Sequence, residues 1–340
     1  MANYTPRVSI IIPVYNGTAF VAEAIQSALA QTYQDFEIIV ADDGSIDDIE
    51  KVLQPYSQKI IYLRFSHRGI SATRNAAILQ SHGEFIALLD SDDLWEPEKL
   101  ALQIAYLDAH PEFALVYSYS TNFTDDSEGN VALVRRLDFE GFIFKDLFTI
   151  NSFANSTIIM RRNVFDEVNG YDESLSAMED YDLNLRIGRD HQIGRVPQAL
   201  LRRRIHPGSF YSSGYDNQYI FQLPVYEKFM SDSTVAQKIG QSKEEYLSSF
   251  ILKFIFKNLY DKRLEFIEQK LQDLKHYSEI KVQLAQQLVK THNLSEAAWR
   301  PLIPEFGVWQ AEVIHKAILY KERRSHNFNK GAGRLTTNHQ

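Results

Sequence analysis

The stretch EFIALLDSDD, residues 84–93, passes from a short apolar run to a group of acids. Five consecutive apolar residues between polar ends predict one buried β-strand. In an open α/β sheet, ligands bind beyond the carboxyl ends of the strands, so these acids are predicted to lie at a functional edge. Side chains alternate along an extended chain, so Asp90 and Asp92 point to the same side, crowded by Asp93. Two interpretations stay open at this point: a site for Mg²⁺ or Mn²⁺, and a solvated acidic turn before the next helix.

Composition limits the classes of protein to which this chain can belong. Its 340 residues suffice for one large domain or two ordinary ones, and 36 basic against 44 acidic residues give a net charge of −8. A net acidic chain binds nucleic acid poorly, so no nucleic-acid partner is predicted. The absence of cysteine excludes disulfides and thiolate metal sites. No apolar run reaches the roughly 18 residues that cross a bilayer, and no signal peptide is recognisable. We expect a soluble, cytoplasmic protein with at most peripheral contact at the inner membrane face.

Strand and helix signals alternate through the first 90 residues. Strands are predicted from β-branched and apolar runs at residues 8–12, 36–41 and 60–63. Periodic apolar residues between the strands predict helices, the last of them over residues 69–80. This order predicts an α/β fold with a mostly parallel sheet, right-handed connections and flanking helices. The second strand also ends in acids, Asp42 and Asp43, so two strands are expected to deliver carboxylates to one edge.

The signals are less regular after the acids. Helices are predicted over residues 96–109 and from Glu179 onward, and extended segments over residues 114–119, 156–160 and 192–205. Residues 125–130 have the composition of a turn. Residues 139–153 mix Phe, Lys and Asp without a clean period, and we expect an irregular surface helix or lid there.

Beyond about residue 215 the strand signals disappear and helical periodicity takes over. We therefore predict an α/β domain over residues 1–214, a helical C-terminal domain over residues 215–320 and a disordered tail over residues 321–340. In the helical domain, Phe250, Phe254 and Leu259 share one face. This face is predicted to bury against the α/β domain or to form a homodimer interface. The mixed charge around it favours a homodimer over attachment to a membrane.

Seven segments carry a family resemblance. They are VSIIIPVYN (8–16), ALAQTY (28–33), EIIVADDGS (37–45), GISATRN (69–75), GEFIALLDSDD (83–93), Glu179-Asp180 and RIHPGS (204–209). Their order and spacing resemble the family 2 glycosyltransferases, which have a nucleotide-sugar-binding GT-A fold. Each segment alone is a weak signal, but together they are specific. The resemblance covers about residues 7–210 and leaves out the helical remainder.

The resemblance implies roles for individual residues. Asp43 is implied to accept the N3–H of uracil or thymine, beside a base and ribose pocket lined by Pro13, Val14, Tyr15 and Asn16. The other implied nucleotide-sugar residues are Arg74, Asp90 and Ser91. Asp92 and His206 are implied ligands of Mn²⁺ or Mg²⁺, which bridges the diphosphate, and the imidazole suits Mn²⁺ better. The residues alone leave Arg74 open as a surface ion pair and His206 open as a turn residue.

The implied reaction is an inverting transfer of a sugar from a UDP- or dTDP-linked donor to the hydroxyl of a glycan or lipid-linked acceptor. Such a reaction belongs to polysaccharide or glycoconjugate biosynthesis. Asp180 is the implied general base, and helix capping is the alternative for it. Two other functions stay open: a sugar-phosphate nucleotidylyltransferase and a non-catalytic nucleotide-sugar-binding protein. The first would show a Gly-rich loop where this chain has the turn 13–16, and the second has no use for a base.

Overall fold

The structure is a computed structural model that describes residues 5–124, 132–135, 138–149, 153–208, 215–260 and 267–277, together with Val282 and Gln286. The chain divides into two compact units, Met1–Val225 and Tyr226–Gln340. The first unit contains the sheet. The predicted domain limits at residues 214 and 320 stay predictions. The predicted turn at residues 125–130 and the predicted tail at residues 321–340 lie outside the described residues.

The first half of the sheet is parallel, as the sequence predicts. Its elements are β1 (Val8–Val14), α1 (Val21–Leu29), β2 (Phe36–Asp42), α2 (Ile49–Leu53), β3 (Ile61–Arg64), α3 (Ile70–Leu79) and β4 (Phe85–Leu88). The strands lie in the order β3-β2-β1-β4, and each neighbouring pair is parallel. β1 and β4 are buried along their whole length, because helices cover both faces of such a sheet and select continuous apolar runs.

The second half of the sheet is mixed. Its elements are β5 (Leu94–Trp95), α4 (Lys99–Ala109), β6 (Phe113–Phe123), β7 (Ala132–Arg135), α5 (Phe144–Thr149), β8 (Ile159–Arg161), α6 (Arg162–Glu167), α7 (Glu179–Asp190) and β9 (Gln192–Arg204). The full order is β3-β2-β1-β4-β8-β6-β9-β5, with β7 beside β6. β8 runs antiparallel to both β4 and β6, whereas β6 and β9 are parallel. The predicted α/β class is confirmed. The direction of β8 was not predictable, because a strand buried on both faces has the same apolar pattern in either direction.

The segment 138–149 is a packed element. α5 turns Phe144, Leu147 and Phe148 into the interior, and the Tyr181 hydroxyl donates a hydrogen bond of 2.8 Å to the carbonyl oxygen of Leu147. The helix expected within residues 139–153 is present as α5, with one face buried and the neighbouring Phe142 72% exposed, and the lid stays a prediction. α5 has six residues, which is too short for its amphipathic period to stand out in the sequence.

Beyond residue 215 the described chain consists of helices joined by short turns at residues 231–232 and 240–242. The helices are α8 (Tyr215–Met230), α9 (Ser233–Ile239), α10 (Lys243–Tyr260) and α11 (Ile267–Tyr277). Phe250 packs edge to face against Tyr226 and Phe254, with ring centroids 4.7 and 5.0 Å apart. Phe250 and Phe254 are both buried, so these two residues offer no open surface for the predicted homodimer. The Leu259 side chain is outside the described part. Within the described residues, no helix combines the length and the apolar character that a membrane span requires.

Gly83 precedes β4 at a close approach to β1. A Cβ atom at this position would lie 2.5 Å from the Ser9 backbone nitrogen and 2.7 Å from the Ser9 hydroxyl oxygen. Gly83→Ala is therefore expected to lower the free energy of unfolding by about 1–3 kcal/mol through overpacking. Leu79→Ala, at a side chain that is 85% exposed, is the control and should change it by less than about 0.5 kcal/mol. Urea denaturation measures both variants, and equal stabilities would contradict this account.

Candidate active site

A cavity of about 560 Å³ lies at the carboxyl ends of β1 and β4. Every residue that the sequence proposes for the site lines this cavity, namely Pro13, Val14, Tyr15, Asn16, Asp43, Arg74, Asp90, Ser91, Asp92, Asp180 and His206. They come from separate parts of the chain, and the fold brings them together. Their shared position is an observation, whereas the role of each residue is still a prediction.

Ser156 holds the acid turn, residues 90–93, in place. Its hydroxyl accepts the backbone N–H of Asp90 at 3.0 Å and donates to Oδ2 of Asp93 at 2.7 Å. The backbone N–H of Arg204 donates to the other Asp93 oxygen at 3.1 Å. Burial, and then repulsion from Asp92 and Asp90, raise the pKa of Asp93 well above its ordinary value. Asp93 therefore anchors the turn in the interior.

Asp92 and His206 form a pair at the cavity. Oδ2 of Asp92 lies 3.1 Å from Nε2 of His206, and the side chains are 32% and 23% exposed. Arg204 joins the segment that carries His206 to the acid turn, because its Nε donates to the carbonyl oxygen of Asp92 at 3.0 Å. The Phe20 ring packs against both Arg204 and His206.

A carboxylate oxygen and an imidazole nitrogen are donors that Mn²⁺ accepts. Within the described part of the chain, no three His, Cys, Asp or Glu side chains are grouped to hold a metal. Divalent cations in nucleotide enzymes are often held by one or two side chains, with substrate phosphates and water in the other positions. The Asp92–His206 pair fits a site of this second kind.

Arg74 joins two acids that belong to different elements. Its side chain is only 2% exposed, and it donates to Oδ1 of Asp90 at 2.7 Å and to Oε1 of Glu179 at 2.5 Å. Burial opposes the charge of Arg74, but Asp90, Tyr171 and Glu179 together raise its pKa above the ordinary value. Both terminal nitrogens are bound to carboxylates of the chain. Arg74 therefore joins α3 to the acid turn and to α7. Its contact with the nucleotide, which the resemblance implies, stays a prediction.

Asp180 has the chemistry of a base that works near neutral pH. Its half-buried carboxylate lines the cavity. Burial and then the neighbouring Glu179 raise its pKa to about 7, while Arg74 opposes the rise. A general base is most effective when its pKa lies near the working pH. Capping alone gives no reason for such a shift.

The backbone at the start of α7 has an unusual conformation next to Glu179 and Asp180. Met178, the residue before the helix, has a left-handed φ of +64°, a conformation that non-glycine residues adopt at a cost and that is frequent at functional sites. Asp182 is fully buried and pairs with Arg186 at 2.7 Å. It is thus turned away from the cavity, as the helical spacing predicts.

Asp43 also lines the cavity and holds the segment that leads into α3. Its Oδ1 accepts the Arg68 backbone N–H and the Thr73 hydroxyl, both at 2.8 Å, and its Oδ2 accepts the Gly69 N–H at 3.0 Å. His67 lies beside it, with Nδ1 2.9 Å from Oδ2. The sequence carries no signal for His67, which is a single histidine in a loop.

Asn16 connects the ends of β1 and β2. Its backbone N–H donates to the Ser45 hydroxyl at 2.9 Å, and its Oδ1 accepts the Ile46 N–H at 2.9 Å. Its φ of +51° is a left-handed conformation that asparagine tolerates better than most residues. The turn 13–16 is therefore fixed to the loop that carries Asp43.

Besides His67, the local sequence pattern did not predict the contacts that Ser156 and Arg204 make in the site. Ser156 opens a predicted strand, and its partner Asp93 lies 63 residues away. Arg204 is part of the RIHPGS segment, but its bond to Asp92 spans 112 residues. A buried hydroxyl beside an acid cluster is recognisable only when the sheet order is known.

The sequence profile of glycosyl transferase family 2 matches residues 9–168. An uncharacterized glycosyltransferase of Rickettsia prowazekii is 32% identical over 269 residues, which are 76% of this chain and 83% of that protein. The chain belongs to glycosyltransferase family 2. This confirms the resemblance and the predicted class of enzyme, and it decides against a nucleotidylyltransferase and a non-catalytic binding protein.

Solved structures show the same fold as this family 2 glycosyltransferase. S. aureus TarS 1–349 in complex with UDP-GlcNAc has a TM-score of 0.59 at 19% identity, covering 88% of this chain and 91% of that one. The mannosyltransferase PcManGT from Pyrobaculum calidifontis, in complex with GDP-Man and Mn²⁺, has a TM-score of 0.55 at 17% identity, covering 93% and 87%. At these identities the likeness establishes the fold alone.

Ser156→Ala tests whether the acid turn depends on this hydroxyl. The variant removes the hydroxyl that pairs with the Asp90 N–H and with Oδ2 of the buried Asp93, so we expect the free energy of unfolding to fall by about 1–3 kcal/mol. Ser174→Ala is a matched control, because Ser174 donates to Asp172 at 2.6 Å on the exposed surface. The control should lose less than about 0.5 kcal/mol. Equal losses in chemical denaturation would show that Ser156 does not anchor the turn.

Proposed function

We propose that this enzyme is an inverting glycosyltransferase that moves a sugar from a UDP- or dTDP-linked donor to an acceptor hydroxyl, assisted by Mn²⁺ or Mg²⁺. One observation carries the proposal: the Asp92–His206 pair and the Asp180 carboxylate, with its pKa of about 7, line the same cavity. The complexes of TarS with UDP-GlcNAc and of PcManGT with GDP-Man and Mn²⁺ support a nucleotide-sugar donor and a metal.

The donor spans the cavity from Asp43 to His206 in this proposal. The nucleobase of the donor lies at Asp43 and Tyr15, and its ribose lies toward Asp90 and Ser91. The diphosphate reaches Asp92 and His206, which would hold the cation. A divalent cation bound there would offset the negative charge that develops on the leaving diphosphate. Asp90 and Asp92 keep their places because the acid turn is fixed by Ser156 and Arg204.

Asp180 takes the proton in the transfer step. The acceptor oxygen forms a bond to the anomeric carbon while the bond from that carbon to the diphosphate oxygen breaks. The electron pair of the broken bond leaves with the nucleoside diphosphate, and the hydroxyl proton passes to the Asp180 carboxylate. Attack from the side opposite the leaving group inverts the configuration, so no covalent nucleophile is needed. Glu179 is bound to Arg74 and contributes by raising the pKa of Asp180.

The acceptor that we propose is a hydroxyl of a glycan or lipid-linked saccharide, in polysaccharide or glycoconjugate biosynthesis. A cytoplasmic location, with peripheral contact at the inner membrane face, agrees with such an acceptor. The support is the family membership together with the absence of cysteine, which is compatible with a reducing compartment.

The metal is tested by titrating the enzyme with UDP in the presence and absence of Mn²⁺. Asp92→Ala removes one of the two protein donors and should weaken Mn²⁺-dependent UDP binding by at least about tenfold, since even second-shell changes at metal sites cost about 10–100-fold. Asp48→Ala, at an exposed acid outside the cavity, is the control and should bind like the wild type. Calorimetry measures the affinities. Equal wild-type affinities with and without metal would remove the metal from the mechanism.

Asp180→Asn keeps the shape of the side chain but removes its basicity. We expect sugar transfer to fall by about 10²–10⁴-fold, while metal-dependent UDP binding persists. Asp190→Asn changes an exposed acid at the other end of α7 and should transfer sugar normally. Near-wild-type turnover of Asp180→Asn with a verified acceptor would refute the assignment, and Glu179 would then be the next residue to test.

The pH dependence follows from the raised pKa of Asp180. The base acts when it is deprotonated, so kcat/KM of the wild type should fall as the pH drops below about 7. The folded-state pKa lies above the unfolded value of about 4, so this group destabilises the fold increasingly as the pH rises from about 4 to about 7. Thermal melting should therefore show Asp180→Asn to be more stable than the wild type at pH 8 but not at pH 4. If the melting temperatures of Asp180→Asn and the wild type differed by the same amount at pH 4 and pH 8, the raised pKa of Asp180 would be contradicted.

A further inference from the structure

His67 lies beside the part of the site that we assign to the nucleobase. Its ring stacks on Tyr15, with centroids 4.4 Å apart and an angle of 22° between the planes. Its Nδ1 is 2.9 Å from Oδ2 of Asp43 and 3.2 Å from the carbonyl oxygen of the same residue. A flat ring thus lies against an aromatic platform and directs a nitrogen at a buried carboxylate.

The acceptor capacity of Asp43 is nearly filled by the chain itself. An ionised carboxylate accepts about four hydrogen bonds, two at each oxygen. Oδ1 already accepts two, from Arg68 and Thr73, and Oδ2 accepts one, from Gly69. The remaining place is on Oδ2, where His67 lies. A ligand that needs Asp43 as an acceptor therefore has to take the place of the imidazole.

We propose that His67 occupies the nucleobase position in the unliganded enzyme, and that a base binds by displacing it. This inference rests on the proposed function, in which Asp43 accepts an N–H of the base. A pyrimidine shares the two features of the imidazole that matter here, a flat ring that stacks on Tyr15 and an N–H that reaches Asp43. Both cannot hold these contacts together.

The side chain of His67 is free to move although its backbone is held. The side chain is 60% exposed, so rotation moves the ring into solvent. The backbone is confined by Gly44, where an added Cβ would lie 2.7 Å from the His67 nitrogen. Phe65, two residues earlier, is bound through its N–H to the Asp42 carbonyl at 2.9 Å. Displacement is therefore a change of side-chain rotamer, and the loop keeps its place.

Such a displacement lowers the affinity for ligands with a base and leaves other ligands unaffected. The nucleobase has to replace the contacts that His67 makes with Tyr15 and Asp43. Only the difference in free energy between its own contacts with these residues and those of His67 therefore adds to its affinity. A diphosphate without a nucleoside does not reach Tyr15 or Asp43. His67 is therefore a residue that sets the contribution of the base to donor affinity.

Calorimetry of His67→Ala with UDP and with inorganic pyrophosphate, both in the presence of Mn²⁺, tests the inference. We expect His67→Ala to bind UDP about threefold to tenfold more tightly than the wild type. This is the contribution of about one hydrogen bond, because the nucleobase no longer has to displace His67 from Asp43. Its affinity for pyrophosphate should be unchanged. His82→Ala is the matched control, because His82 is 66% exposed and also lies beside a carboxylate, 3.4 Å from that of Glu37, instead of beside Tyr15 and Asp43. It should bind both ligands like the wild type.

The outcomes separate this inference from the proposed function. Equal or weaker UDP binding by His67→Ala, beside a wild type that binds UDP, would overturn the role of His67 alone. A gain in affinity that is the same for pyrophosphate would also overturn it, because the effect would then not concern the base. A wild type that binds no UDP with Mn²⁺ would overturn the proposed function, and the inference with it.

Discussion

Repulsion among the acids that follow β4 is the constraint on which the site depends. Asp90, Asp92 and Asp93 lie within four positions, and carboxylates at a cavity wall cannot all stay ionised without compensation. Each acid has its own partner. The Arg74 guanidinium binds Asp90, and the His206 imidazole lies beside Asp92. The Ser156 hydroxyl binds Asp93. These partners belong to α3, to the segment after β9 and to the turn before β8. They meet because β8 and β9 lie on the far side of β4 in the sheet.

The same arrangement of charges bears on Asp180, the base that we propose. The Arg74 guanidinium opposes the rise in the pKa of Asp180, but its two terminal nitrogens are bound to Asp90 and Glu179. Asp180 therefore lies beside a second carboxylate in a half-buried position without a direct bond to that guanidinium, and its pKa rises to about 7. Burial is the first cause of this rise and the Glu179 carboxylate the second, while Arg74 opposes it from a distance.

The sequence predicts the features that depend on local patterns. Strand ends that carry acids, and the first parallel strands, follow from runs of about five residues. The antiparallel β8 was not predictable, because a buried strand looks the same in either direction, and the packed helix α5 was too short to show a period. The contacts of Ser156 and His67 were not predictable for another reason: a hydroxyl or an imidazole has no sequence signature until its distant partner is known. The resemblance supplied the site residues, whereas the supporting contacts required coordinates.

Lys99 shows how far the support of the acid turn extends into the core. It is fully buried, burial lowers its pKa well below the ordinary value, and the partners that the structure describes for it are uncharged. Its Nζ donates to the Gln103 side chain and to the Thr157 carbonyl at 3.2 Å, above the ring of Trp95. Trp95 in turn donates to the Ser156 carbonyl at 2.8 Å. The lowered pKa means that burial disfavours the charged form of this amine. Ser156 is therefore fixed through its backbone by the core and through its hydroxyl by the acids, so the acid turn keeps its geometry before any cation or substrate offsets its charge.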